Sequence, residues 1–129
     1  MKATDLMIGD KVMVKVLSQI PNTYVLHTWT ANDYSRDIQV KPIPLTAEIL
    51  EKDGWERDID KEWEYNNSHI LPHYCYQWEK RNVKIEMYAG LEGFTISLII
   101  GRRFYAVHEL QHVLRLYGLD ELADNFKIQ

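Results

Sequence analysis

His108-Glu109-Leu110-Gln111-His112 is the one stretch of this 129-residue chain that spells a reaction. On a helix, two histidines four residues apart share a face and can offer imidazole nitrogens to one Zn²⁺. The glutamate between them can take a proton from metal-bound water. Such a centre needs a third protein ligand, and Glu121 is the best of the downstream carboxylates Asp120, Glu121 and Asp124. Its alternative reading is a helix-terminal charge, because Leu119-Asp120-Glu121-Leu122-Ala123 has the pattern of a short final helix with acidic residues in its solvated first turn.

Rotation along the helix argues against the metal. At about 100° per residue, with Val107 at zero, Leu110, Leu114 and Tyr117 fall near 300°, 340° and 280°, with Val113 near 240° and Leu116 near 180°. By the same rotation Gln111, Arg115, His108 and His112 fall at roughly 40°, roughly 80°, roughly 100° and roughly 140°, which makes one apolar half and one polar half. This predicts that both imidazoles face water, with the Arg115 cation close enough to oppose Zn²⁺. Three fixed letters also arise by chance in on the order of one or two per cent of chains this long, which weakens a motif without a convincing third ligand.

Other constellations are thinner. His69, His73 and Cys75 form H-x-x-x-H-x-C, whose softer ligands could hold zinc, but Pro72 breaks any helix there and a loop running into a strand is the simpler reading. Trp29, Tyr34, Arg36, Lys41 and Lys80-Arg81 could offer stacking rings and cations to a nucleic acid. Trp55, Trp63 and Tyr65, set among Glu56, Asp58, Asp60, Glu62 and Glu64, fit an exposed acidic connection with a protein-facing surface, or lids over a sheet edge. No nucleophile elbow, phosphate-cradling loop or dinucleotide fingerprint is present, and the six glycines are scattered through turns.

Composition bounds the rest. Apolar residues make up 46% and charged residues 26%, which is globular rather than disordered composition, and the length suits one domain. A net charge of −4 supplies no global field for nucleic acid or anionic lipid. The lone Cys75 cannot close an internal disulfide, and no apolar run approaches the ~20 residues of a membrane span, so a cytoplasmic protein is expected.

The elements that would position these residues follow from local pattern. Lys11–Leu17 alternates as a half-buried strand, Thr23–Thr30 returns as a second after Pro21-Asn22, and Asp37–Val40 supplies a short third before Pro42-Ile43-Pro44. Thr46 can cap a helix with Glu48 in its first turn and Gly54 after its last, leaving Ile49 and Leu50 toward the core. Tyr74–Glu79, Val83–Tyr88 and Phe94–Ile100 read as an antiparallel meander, with the last strand central and the closing helix across it.

Three segments carry a family resemblance. Leu6-Met7-Ile8-Gly9-Asp10-Lys11-Val12, the run from Lys41 through Pro42-Ile43-Pro44-Leu45-Thr46 to Gly54-Trp55, and Val107-His108-Glu109-Leu110-Gln111 with Glu121-Leu122 resemble, in order and spacing, short uncharacterised proteins of Bacteroidetes genomes and their prophages. That pattern runs L-R-I-G-N-x-V, then P-I-P-L-T-E-E-x-L-x-K-x-G-F, then V-H-x-L-Q-N-L-Y. The resemblance implies Gln and Asn at the positions of Glu109 and His112, so a metal activity would be peculiar to this chain, and it implies no known activity.

The expected fold is a single α+β domain spanning 1–129. It would comprise an SH3-like three-stranded unit over 1–44, a helix over 45–54, an antiparallel sheet over 62–106 and helices over 107–125, the longer packed on the sheet by Val107, Leu110, Leu114 and Tyr117. The expected function is a non-enzymatic accessory or interaction protein of a phage or mobile element, with a protein partner and no cofactor. The alternatives are a zinc-dependent hydrolase using His108, Glu109, His112 and Glu121, and a nucleic-acid-binding module.

Overall fold

The computed structural model describes residues 2, 5–16, 23–59, 74–80, 83–90, 93–96 and 104–128. Their contacts divide into two compact units, one of Met1–Leu45 with Ala106–Phe126 and the other of Thr46–Tyr105 with Lys127–Gln129. Together they make a mixed α and β protein with two antiparallel sheets.

In the first unit, the Val12–Val14 alternation forms β1 (Lys11–Lys15), which pairs with β2 (Tyr24–Thr28) in the register Val12 to His27 and Val14 to Val25. The third strand is shorter and later than the sequence suggests. β3 is only Val40–Lys41, since Pro42 cannot continue the ladder, and it pairs with the other side of β1. The order β2-β1-β3 therefore makes β1 the central strand. Before β3, Ala31–Ser35 forms a 3-10 turn. Leu6, Val12 and Trp29 make the core here, with Val14 and Val40 against them.

The H-E-x-x-H segment lies on α2 (Val107–Leu116), which a short helix, α3 (Asp120–Asp124), follows. The Val107 amide donates to the Ile43 carbonyl, tying the start of α2 to the Pro42-Ile43-Pro44 segment. Val107, Leu110 and Leu114 are buried as expected, but Tyr117 is 40% exposed and Leu116 69% exposed. Tyr117 caps the helix rather than extending it, so its side chain leaves the apolar stripe. α2 belongs to the first unit, where it packs on β1 and α3.

In the second unit, Thr46 caps α1 (Ala47–Asp53) by accepting from the Ile49 amide at 3.3 Å, and Gly54 ends it at φ +107. Glu48 sits in the first turn and Leu50 is buried, as the pattern predicts. A second, antiparallel sheet follows in the order β4-β5-β6-β7, formed by Glu56–Arg57, Tyr74–Lys80, Val83–Gly90 and Gly93–Ile96. The expected meander is present, although β7 lies last in the order rather than centrally, with a lone bridge from Phe94 to Phe104 on its far side. The apolar end of the expected strand, 97–100, lies outside the described residues.

Candidate functional site

The residues of chemical interest in the first unit gather at the junction of β1 and α2. Gly9 holds φ +94, which places its carbonyl and the following Asp10 side chain toward α2. The backbone conformation favours glycine, and a Cβ there would lie 2.7 Å from Asp124 Oδ1 and 3.0 Å from an Arg115 terminal nitrogen, so those two side-chain ends would have to shift.

Asp10 is completely buried. Its Oδ2 accepts from the Met7 amide at 2.8 Å and hydrogen-bonds His112 Nε2 at 2.5 Å, and its Oδ1 accepts from the Arg115 guanidinium at 2.6 Å. Burial pushes this carboxyl up, but the hydrogen bonds from His112, Arg115 and Met7, with the His112 charge, outweigh it and hold the group below the ordinary carboxylate value. Arg115 also reaches Asp124 Oδ1 at 3.2 Å on α3.

Gln111 completes the junction. Fully buried, it donates from Nε2 to the carbonyls of Gly9 and Ala123, both at 2.9 Å, and accepts the Lys11 amide at Oε1 at 2.8 Å. One side chain thus joins the start of β1, α2 and α3. A primary amide can do this because it carries two donors and an acceptor in fixed geometry.

These contacts correct the predicted orientation of the histidines. His108 is only 8% exposed, and the His112 ring is turned to Asp10 rather than to open water. The buried arc of α2 runs from Val113 through Leu110, Leu114, Val107 and Gln111 to His108, roughly 220° by helical rotation. A two-way apolar and polar split misses this, because the start of β1 and α3 enclose the helix from two sides.

The metal reading distributes differently in space than along the chain. The imidazole rings of His108 and His112 meet edge to face at 5.6 Å. Glu109 Oε1 accepts from the Ala106 amide at 3.1 Å, as the third residue of a helix commonly does at its own N-terminus. Glu121 lies in the exposed first turn of α3. Among the described residues, no three His, Cys, Asp or Glu side chains are placed to share a metal ion. Arg115, which the helical wheel sets as a cation opposing zinc, is the second partner of Asp10.

Of the other candidates, Cys75 is buried in β5, while His69 and His73 lie outside the described residues. Trp55 is not an exposed interaction residue: it is 2% exposed, donates to Asp53 Oδ2 at 3.0 Å and lies 6.0 Å from Trp78. Its indole is too large to leave in water when a partner ring and a carboxylate acceptor sit beside it. Trp63 and Tyr65 lie outside the described residues. Of the nucleic-acid set, Trp29 is fully buried and cannot stack on a base, Lys41 sits over the Tyr24 ring at 4.1 Å, and Arg81 lies outside the described residues.

Sequence reasoning missed Asp10, Gln111 and Arg115. Only Gln111 left a signal, since helical rotation puts it about 40° from Val107, at the border of the apolar stripe. Comparisons with known protein families, curated proteins and solved structures found no match.

Proposed function

We propose that the chain is a non-enzymatic accessory or interaction protein of a phage or mobile element, working in the cytoplasm through a protein partner. The observation that carries this reading is the use made of the H-E-x-x-H segment. His112 binds a buried carboxylate, Glu109 caps its own helix and Gln111 bridges three segments. Side chains occupied in this way supply cohesion rather than a reactive centre. The order β2-β1-β3, with a 3-10 turn before the last strand, supports an SH3-like reading of the first sheet. No helix among the described residues is long and apolar enough to cross a membrane.

The test is metal analysis of protein purified without a polyhistidine tag, together with thermal melts in excess chelator. The proposal expects sub-stoichiometric zinc and an unchanged melting temperature. About one Zn²⁺ per chain, with a melt that chelator lowers, would overturn it in favour of the hydrolase.

A further inference from the structure

We propose that His108, His112 and Asp10 form an acid-sensitive clasp between α2 and the start of β1, closed while His108 is neutral and opened when it takes a proton. His108 Nδ1 is buried without a hydrogen-bond partner among the described residues, and the ring stands edge to face against His112 at 5.6 Å. A neutral imidazole can leave one nitrogen as an unprotonated acceptor at modest cost. An imidazolium carries a proton on both nitrogens, so a buried Nδ1–H with no acceptor is a far heavier penalty.

The surroundings oppose that second proton. The carboxylate that would best compensate it, Asp10, already takes His112 Nε2 on one oxygen and Arg115 on the other. The charged groups whose fields reach His108 are, among the described residues, Asp10 and Asp5 from the amino-terminal segment, and Glu109 and His112 from α2 itself. Asp124 on α3 is paired with Arg115, and the Lys11 ammonium of β1 is held on Thr28 Oγ1 at 2.6 Å. Burial is the largest influence on His108 and lowers its affinity for a proton. Asp10, Glu109 and Asp5 work in the other direction and His112 works with burial, so that the group stays below the ordinary histidine value.

A histidine whose folded value is depressed contributes its full stability above the ordinary value of about 6.5 and loses it as pH falls below that point, because the open form binds the proton and the closed form does not. Opening moves His108 away from His112 and releases the neighbouring Gln111 from Gly9 and Lys11, so β1 and α2 part at this end.

The experiment is amide hydrogen exchange on the whole chain between pH 7.5 and 5.5, corrected for intrinsic rates. The Lys11 amide, bound to Gln111, and the Met7 amide, bound to Asp10, report the clasp. The other amides of the β1–β2 ladder, from Val12 onward, serve as reference. Protection of Lys11 and Met7 is expected to fall by up to about tenfold at pH 5.5 relative to the ladder, the ratio set by one unit below the ordinary histidine value. In His108→Leu the pH dependence is expected to disappear. Should that variant fail to fold, imidazole ¹⁵N titration of the natural chain decides, with His108 expected to titrate below the ordinary value. Equal protection of clasp and ladder at every pH, or a His108 titration at or above about 6.5, would overturn the proposal.

Discussion

Two buried aspartates in the first unit each hold a histidine, and they do different work. Asp33 is 2% exposed and draws its partners from its own neighbourhood: His27 Nε2 at 2.7 Å, the Thr30 amide at 2.7 Å and the Thr30 hydroxyl at 2.9 Å. Asp10 takes one partner from its own turn, the Met7 amide, and its other two, His112 and Arg115, from more than a hundred residues away. The first pair finishes a turn. The second joins the two chain segments from which the unit is built, and so opposes far more chain entropy. Identical pair chemistry therefore carries a local or a global role according to the separation it spans.

The comparison can be broken by unequal effects, and the largest should come from the amide beside Asp10. Gln111→Ala leaves the Gly9 carbonyl and the Lys11 amide without their partner in a closed interior, while the Ala123 carbonyl keeps the Phe126 amide, and the change is expected to cost about 3–5 kcal/mol in urea unfolding. Gly9→Ala, which meets Asp124 and Arg115 from a left-handed backbone, should cost about 2 kcal/mol. Asp33→Asn, which weakens a cap and a pair to a third-exposed His27, should cost about 1 kcal/mol. A loss at Asp33 equal to that at Gln111 would end the distinction between local and global ties.

Acid sharpens the same comparison. Burial pushes Asp33 up, but hydrogen bonds from His27 and Thr30 and the His27 charge hold it below its ordinary value, as the corresponding partners do for Asp10. A depressed carboxylate stabilises the fold above the ordinary value of about 3.9 and ceases to do so as pH falls through the folded value. Urea midpoints measured between pH 5 and pH 2 should therefore decline, and Asp33→Asn should remove only part of that decline. An unchanged midpoint over that range would contradict the role given to both carboxylates.

What is legible in the sequence is what neighbouring residues decide. Thr46, Glu48 and Gly54 announce α1 because caps and helix-end charges act within one turn, and the Val12–Val14 alternation announces β1 because a strand repeats every two residues. The burial of Trp55 is not legible, because its acidic neighbours suggest a solvated segment while its acceptor, Asp53, sits two residues back at the end of α1. The clasp is hidden for a different reason. His108 and Gln111 look polar on a helical wheel, and nothing near them in the chain announces that Gly9 and Asp10 will arrive opposite. The segments around Gly9-Asp10 and Gln111-His112 both belong to motifs, yet only the fold shows that they meet.

A double-mutant cycle with Asp10→Asn, His112→Asn and the pair together, read by urea unfolding at pH 7, tests the structural role of the H-E-x-x-H histidine most directly. The account predicts a coupling of about 1–3 kcal/mol between the two positions. Single-variant losses that add to within about 0.3 kcal/mol would contradict it, and His112 would then have no part in holding β1 to α2.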